Sequence, residues 1–149
     1  MSSANWAAEV PWVHTIGTRS WWLMALDGRI RTGVAVACLT RYRNLIEQQR
    51  LDQHGIYYYV PGMLNHFDTE AIVSLIAPRT ALFLNGDRDA GSPVKGIRQI
   101  EKAVRKVYRL YGAGRRFVSL LHKGVGHDYT AEMWKRMLSW MEDHLKGAP

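Results

Sequence analysis

Cysteine is almost absent from this chain of 149 residues, in which Cys38 stands alone. A single cysteine cannot form an internal disulfide, and this usage suits a reducing compartment, so we expect a cytoplasmic protein. Because Cys38 lies in the apolar run of residues 34–39, we predict that its thiol is buried and unreactive.

Long apolar runs, targeting signals and cofactor motifs are missing as well. No stretch approaches the roughly 18 apolar residues of a membrane span, so no membrane partner is expected. Residues 1–6 have neither a basic segment nor a long apolar stretch, which argues against a signal peptide. The histidines at positions 54, 66, 122 and 144 show no metal-ligand spacing, and we predict neither a metal nor a cofactor.

Acidic residues are fewer than basic ones, and the net charge is +7. Such a surplus is compatible with binding to nucleic acid or to an anionic surface. The densest basic cluster, however, falls on a predicted helix whose opposite face is apolar, which favours a solvated helix face over a nucleic-acid interface. The cluster consists of Lys95, Arg98, Lys102, Arg105, Lys106 and Arg109.

Hydrophobic periodicity predicts helices and strands in alternation. The predicted strands are residues 33–39, 81–85 and 116–121; the predicted helices are residues 18–27, 94–111 and 130–145, with a short helix after Asp68. This order is typical of an α/β fold with a short parallel sheet of about three to four strands, flanked by helices.

The apolar positions of the two long helices predict which of their faces point inward. For the helix at 94–111 they are Ile97, Ile100, Val104, Val107, Tyr108 and Tyr111. For the last helix they are Met133, Trp134, Met137, Leu138, Met141 and Leu145.

An acid and a base follow two of the predicted strands. Asp89 comes after the strand at 81–85, and His127 comes after the strand at 116–121. Because the carboxyl ends of parallel strands meet at one edge of a sheet, both side chains should project there. A carboxylate in that position fixes the tautomer of the histidine, which then takes a proton from a nucleophile. Gly124 and Gly126 are predicted to let the histidine loop pass close to a neighbouring backbone.

Several short segments carry a family resemblance. They are GTRSWWL at 17–23, LTRY at 39–42, HGIYYYVPG at 54–62, LIAPR at 75–79, NGDRD at 85–89 and GVGH at 124–127. Together they resemble the C-terminal half of an α/β-hydrolase of the dienelactone hydrolase and acetyl xylan esterase type. The resemblance implies a truncated α/β-hydrolase in which residues 1–16 are an atypical N-terminal segment and residues 17–149 are a partial domain.

The same resemblance implies hydrolysis of small carboxylic esters, with Asp89 and His127 as the catalytic pair. In the family the acid is followed three positions later by a variable residue and then proline, and the spacing from Asp89 to Pro93 matches this pattern. Asp89 is therefore preferred, and Asp87 is interpreted as a turn or salt-bridge residue.

The Gly-x-Ser-x-Gly nucleophile elbow of this family is missing. It would directly precede Thr18, but residues 13–17 read VHTIG, and His14 stands where the serine should be. The nucleophile is left open between Ser20, His14, a water molecule and none. The chain is then either an esterase-like hydrolase or a catalytically inactive remnant that acts as a dimeric binding or structural protein.

One edge of the predicted sheet lacks a good partner strand. In the family, the strand before residue 17 pairs with the strand at 33–39, but here Pro11 removes a hydrogen-bond donor from it. An exposed apolar edge tends to pair with another chain, so we expect a homodimer through this edge. The tyrosines at 57–59 are interpreted as a packed loop, with the lining of a substrate cleft as the alternative.

Overall fold

The order of elements in the computed structural model, which describes residues 17–145, alternates helices with strands. The helices are α1 (Gly17–Leu26), α2 (Tyr42–Glu47), α3 (Thr69–Ser74), α4 (Val94–Leu110) and α5 (Ala131–Leu145). The strands are β1 (Thr32–Val36), β2 (Thr80–Gly86) and β3 (Phe117–His122). Short 3-10 turns occur at Leu51–Gln53, Ile56–Tyr58, Met63–Asn65 and Gly114–Arg116.

The three strands form one parallel sheet in the order β1-β2-β3. In its register Val34 lies beside Leu82, and Leu82 lies beside Val118. Helices α2 and α3 connect β1 to β2, and α4 connects β2 to β3, as parallel neighbours require. The predicted α/β architecture is confirmed.

Strand β2 is buried on both faces, which explains its continuous apolar sequence. Phe83 belongs to the core between the sheet and helices α1, α3 and α4, together with Trp21. Leu82 and Leu84 point the other way, into a second core formed with helix α5. The sheet is therefore packed on both faces by an apolar core, which fixes the strands that carry the loops at their carboxyl ends.

Strand β1 ends three residues before the predicted limit. Ala37 adopts a left-handed conformation with φ 49°, which turns the chain out of the sheet. The backbone amides of Cys38 and Leu39 then donate to Oδ1 of Asn85, at 3.2 and 3.1 Å, instead of to a strand. As predicted, Cys38 is buried, and this burial raises the pKa of its thiol.

Helix α2 lies between the predicted strand at 33–39 and the predicted short helix after Asp68, where no helix was predicted. Its first backbone amides have a hydrogen-bond acceptor that is distant in the sequence. The carboxylate of Asp68 accepts from the backbone nitrogens of Tyr42 and Arg43 at 2.9 and 3.1 Å. The same carboxylate caps α3 by accepting from the nitrogen of Thr69 at 2.7 Å. One buried acid thus starts two helices.

The predicted inward face of α4 is confirmed except at its C-terminal end. Ile97, Ile100, Val104 and Tyr108 are buried. Tyr111 is 61% exposed, because the helix ends before it and its side chain no longer follows the helical repeat. Lys95 and Arg98 of the basic cluster pair with Glu47 and Glu101.

The predicted inward face of α5 was wrong at two positions. Trp134 and Leu138 are 41% and 45% exposed, whereas Trp140, which was not predicted, is buried. The indole nitrogen of Trp140 donates to Oγ1 of Thr32 at 3.0 Å and fixes the rotation of the helix against β1. Among the helices within residues 17–145, none has the length and apolarity to span a bilayer.

Candidate functional site

Asp89 and His127 meet where strands β2 and β3 end. The register places Gly86, the last residue of β2, beside His122, the last residue of β3, so both loops leave the same edge. Nδ1 of His127 lies 2.9 Å from Oδ2 of Asp89. Because a carboxylate only accepts, the ring nitrogen donates this hydrogen bond. The structure therefore brings the two residues together, and their catalytic role stays a prediction.

The carboxylate of Asp89 is fixed by its own turn. Its side chain is 1% exposed, and Oδ1 accepts from the backbone nitrogen of Gly91 at 2.8 Å. The carbonyl oxygen of Gly91 in turn accepts from Oγ1 of Thr40 at 2.6 Å and from Nε2 of His54 at 2.8 Å. The acid is thus held by a turn that residues from two other loops anchor.

Backbone hydrogen bonds hold the loop of His127 against the acid turn. The nitrogen of Arg88 donates to the carbonyl of Val125 at 2.8 Å, and the nitrogen of Asp87 donates to the carbonyl of His122 at 3.0 Å. Oδ1 of Asp87 accepts from the nitrogen of Gly124 at 2.6 Å. Asp87 therefore joins the two loops, in agreement with its interpretation as a turn residue.

The close passage of the two loops depends on Gly86. A Cβ atom at this position would overlap the carbonyl oxygens of Val125 and Gly126, so no larger residue fits without moving the loop. Around Gly126 a Cβ would meet nothing within 4 Å. The predicted close approach is present, but Gly86 permits it rather than Gly124 or Gly126, since a Cβ at Gly124 would also meet nothing within 4 Å.

Hydrogen bonding to Asp89 raises the pKa of His127 above its ordinary value of 6.5, and the negative charge of Asp89 acts in the same direction. Partial burial opposes this change but does not cancel it. The His127 side chain is 69% exposed, so water and small molecules can reach the ring. Above its raised pKa the neutral ring can accept a proton.

A polar cavity of about 150 Å³ opens beside His127. It lies between the start of α1, the end of β1 and the loop at residues 53–58, and its lining includes Thr18, Cys38, His54 and Tyr58. The cavity is the space in which a reacting group would contact the imidazole.

Of the candidate nucleophiles, Ser20 is not placed at this cavity. Ser20 is 3% exposed within α1 and does not line the cavity, and within residues 17–145 no serine, threonine or cysteine side chain hydrogen-bonds to His127. His14 lies outside the described residues. In the described part of the chain, no group of three His, Cys, Asp or Glu residues is arranged to hold a metal ion.

His54 was not predicted to belong to the site. Its ring stacks on Tyr58 with centroids 4.1 Å apart, and its donor reaches the acid turn at Gly91. The only sequence signal was its place before the tyrosine run, since nothing links position 54 to position 91. The packed-loop interpretation of the tyrosines holds for Tyr58, which is buried, but Tyr57 is 83% exposed and lines the cavity.

Comparison with known proteins gives one curated relative and several similar structures. No model of a protein family matches the chain. The chain is 41% identical over 129 residues to a protein of Bacillus subtilis (strain 168) named "Putative hydrolase YtaP". This match covers 87% of the chain and 43% of the relative, so the chain spans less than half of that protein.

Similar solved structures of low sequence identity include two glucuronoyl esterases. A carbohydrate esterase family 15 glucuronoyl esterase from Caldicellulosiruptor kristjansonii gives a TM-score of 0.67 at 21% identity, covering 89% of this chain and 42% of that one. The glucuronoyl esterase catalytic domain from Hypocrea jecorina gives 0.68 at 14% identity, with coverages of 89% and 42%. At these identities the likeness establishes the fold, which is that of part of an α/β-hydrolase.

Proposed function

We propose that this protein is an esterase-like hydrolase of small carboxylic esters in which Asp89 and His127 perform the acid–base chemistry. The observation that carries the proposal is the 2.9 Å hydrogen bond between a buried carboxylate and an exposed imidazole. Both stand at the carboxyl edge of a parallel sheet, where α/β proteins bind their ligands. The 41% identity to a protein named as a hydrolase supports the same reaction class.

In the proposed reaction Asp89 holds the proton of His127 on Nδ1, which leaves the lone pair of Nε2 free. Nε2 accepts the proton of the nucleophile as the new C–O bond forms at the ester carbon. The imidazolium that results is stabilised by the carboxylate. It then returns the proton to the leaving alcohol oxygen as the ester C–O bond breaks.

Water is the nucleophile that the described residues support best, because His127 is exposed and Ser20 is buried. The tetrahedral intermediate also needs donors for its negative oxygen. The polar groups that line the cavity, which is bordered by Gly17 and Thr18, are the candidates for these donors.

The decisive test replaces His127 with glutamine and measures turnover of p-nitrophenyl acetate and butyrate. Loss of a positioned acid–base group should lower kcat/KM by about 10²–10⁴. The fold should persist because the His127 side chain is largely exposed. His66→Gln, which changes another exposed histidine, is the matched control. Turnover by His127→Gln equal to that of the control would refute the proposal. A loss of turnover in Ser20→Ala would show that the nucleophile is Ser20 and not water.

A second function, that of a catalytically inactive dimeric binding or structural protein, has two observations in its favour. No described hydroxyl or thiol hydrogen-bonds to His127. Within residues 17–145, β1 pairs only with β2, so its other edge has no partner strand. This alternative requires that the wild type turns over esters no faster than His127→Gln does. It also requires that the wild type is a dimer in sedimentation equilibrium. A monomer at micromolar concentration would exclude it.

His54 is expected to act as a positioning residue for the acid turn. His54→Leu keeps an apolar side chain against Tyr58 but removes the donor to Gly91, so the turn that holds Asp89 should loosen. We expect kcat to fall about tenfold with little change in KM, because the reacting groups lose alignment. His54→Gln keeps an N–H donor and should recover most of the loss. Equal kcat in the leucine variant and the wild type would contradict this role.

A further inference from the structure

A larger hollow adjoins the cavity of His127. This aromatic hollow has a volume of about 350 Å³ and is lined by Thr18, Arg19, Trp22, Tyr57, Tyr58 and Val60. Three of these residues, Thr18, Tyr57 and Tyr58, also line the smaller cavity. The hollow and the cavity of His127 are therefore adjacent.

The walls of the hollow suit a flat apolar group. Trp22 stacks on the buried Trp21 with ring centroids 5.4 Å apart, and Tyr58 is held between His54 and Tyr42. The half-buried Trp22, fixed in this way, offers apolar ring surface to a ligand at little entropic cost, whereas Tyr58 is covered and supports the wall.

Tyr57 is the unusual member, because its ring is 83% exposed although it is large and apolar. The position of this ring depends on Gly55, where a Cβ atom would overlap it. The loop thus holds an aromatic ring at the rim of the hollow, where a ligand would cover it.

Arg19 is the charged residue of this lining. It is exposed, and it forms no salt bridge with any residue from 17 to 145. A guanidinium in this position offers paired donors that match a carboxylate. Among the described residues, Arg19 is the one cation in the lining of this apolar hollow, so the hollow suits a ring that bears a negative group.

We propose that the aromatic hollow binds an aryl carboxylate group and that the preferred substrates are esters carrying such a group. The turnover part of this proposal rests on the proposed esterase function, whereas binding does not. Nothing in the hollow requires His127, which does not line it.

Binding is tested by calorimetric titration of the His127→Gln protein with benzoate and with benzyl alcohol. The two probes share the ring and differ in charge, so the acid should bind about tenfold more tightly. Arg19→Gln should abolish this difference, and Arg31→Gln, an exposed arginine outside the hollow, should keep it. Tyr57→Ala should weaken both probes without unfolding the protein, because its ring is exposed.

Turnover is tested on the wild type with monomethyl terephthalate and methyl 4-methylbenzoate, which differ in a carboxylate against a methyl group. We expect a higher kcat/KM for the charged ester, and loss of that preference in Arg19→Gln. Selective binding without turnover of either ester would reject the esterase function and retain the binding site. Equal binding of acid and alcohol, no binding of either, or selectivity that survives Arg19→Gln would overturn the inference.

Discussion

Asp89→Asn is expected to lower kcat for ester hydrolysis by about 10⁴, the size of effect that loss of the orienting carboxylate has in a hydrolase triad. The amide nitrogen of an asparagine would face Nδ1 of His127, which now donates to Oδ2 at 2.9 Å. The ring would then carry its proton on the other nitrogen, Nε2, and could no longer accept one there. Initial rates with p-nitrophenyl butyrate measure the loss.

The matched control for this substitution is Asp87→Asn. Asp87 lies in the same turn, and its Oδ1 accepts from the nitrogen of Gly124, which the oxygen of an asparagine can also do. Activity should therefore persist in Asp87→Asn. If Asp87→Asn lost as much activity as Asp89→Asn, a general disturbance of the turn would explain both results, and the catalytic role of Asp89 would be refuted.

The pH dependence gives the same prediction a second measurement. Because the neutral ring is the base, kcat/KM of the wild type should rise with pH through the raised pKa of His127. Asp89→Asn removes the main cause of that raised pKa, so the residual activity should rise at lower pH than in the wild type. The stability that protonated His127 gains from Asp89 is full below about pH 6.5. It is lost as pH rises through the folded-state pKa.

The sheet could be predicted because its strands are mostly apolar. Strand β2 is buried on both faces, and this leaves a pattern that a short sequence window contains. Helix α2 could not be predicted in the same way, because the carboxylate that accepts from Tyr42 lies 26 positions further along the chain. Residues 40–67 depend on such distant polar contacts, whereas the short helix that follows Asp68 could be predicted locally.

In the candidate site, too, some residues could be predicted from the sequence and others could not. Asp89 and His127 follow recognisable strands, so parallel topology alone predicts that they meet. The contact of His54 with Gly91 spans 37 positions and follows no element boundary, and the sequence therefore gives no sign of it. Likewise, Gly86 is required because the backbone of another loop passes close to it, and the sequence around Gly86 does not show that contact.

Gly86→Ala is expected to damage stability and activity together. The added Cβ would overlap two carbonyl oxygens of the His127 loop, and backbone atoms cannot rotate away as a side chain can. We expect a loss of about 3 kcal/mol in the free energy of unfolding, at the upper end for an overpacked site. Urea unfolding should show a lower midpoint at an unchanged slope.

Activity should fall in Gly86→Ala because the loop that it displaces carries the base. A shift of about 1 Å at His127 is enough to cost about 10²-fold in turnover, since the 2.9 Å contact with Asp89 fixes the ring. Gly126→Ala is the control for stability, because its added Cβ meets nothing within 4 Å although it lies one residue from the base. A midpoint for Gly86→Ala equal to that of Gly126→Ala would show that the two loops do not depend on this contact. The acid–base pair would then have to be held by its side-chain hydrogen bond alone.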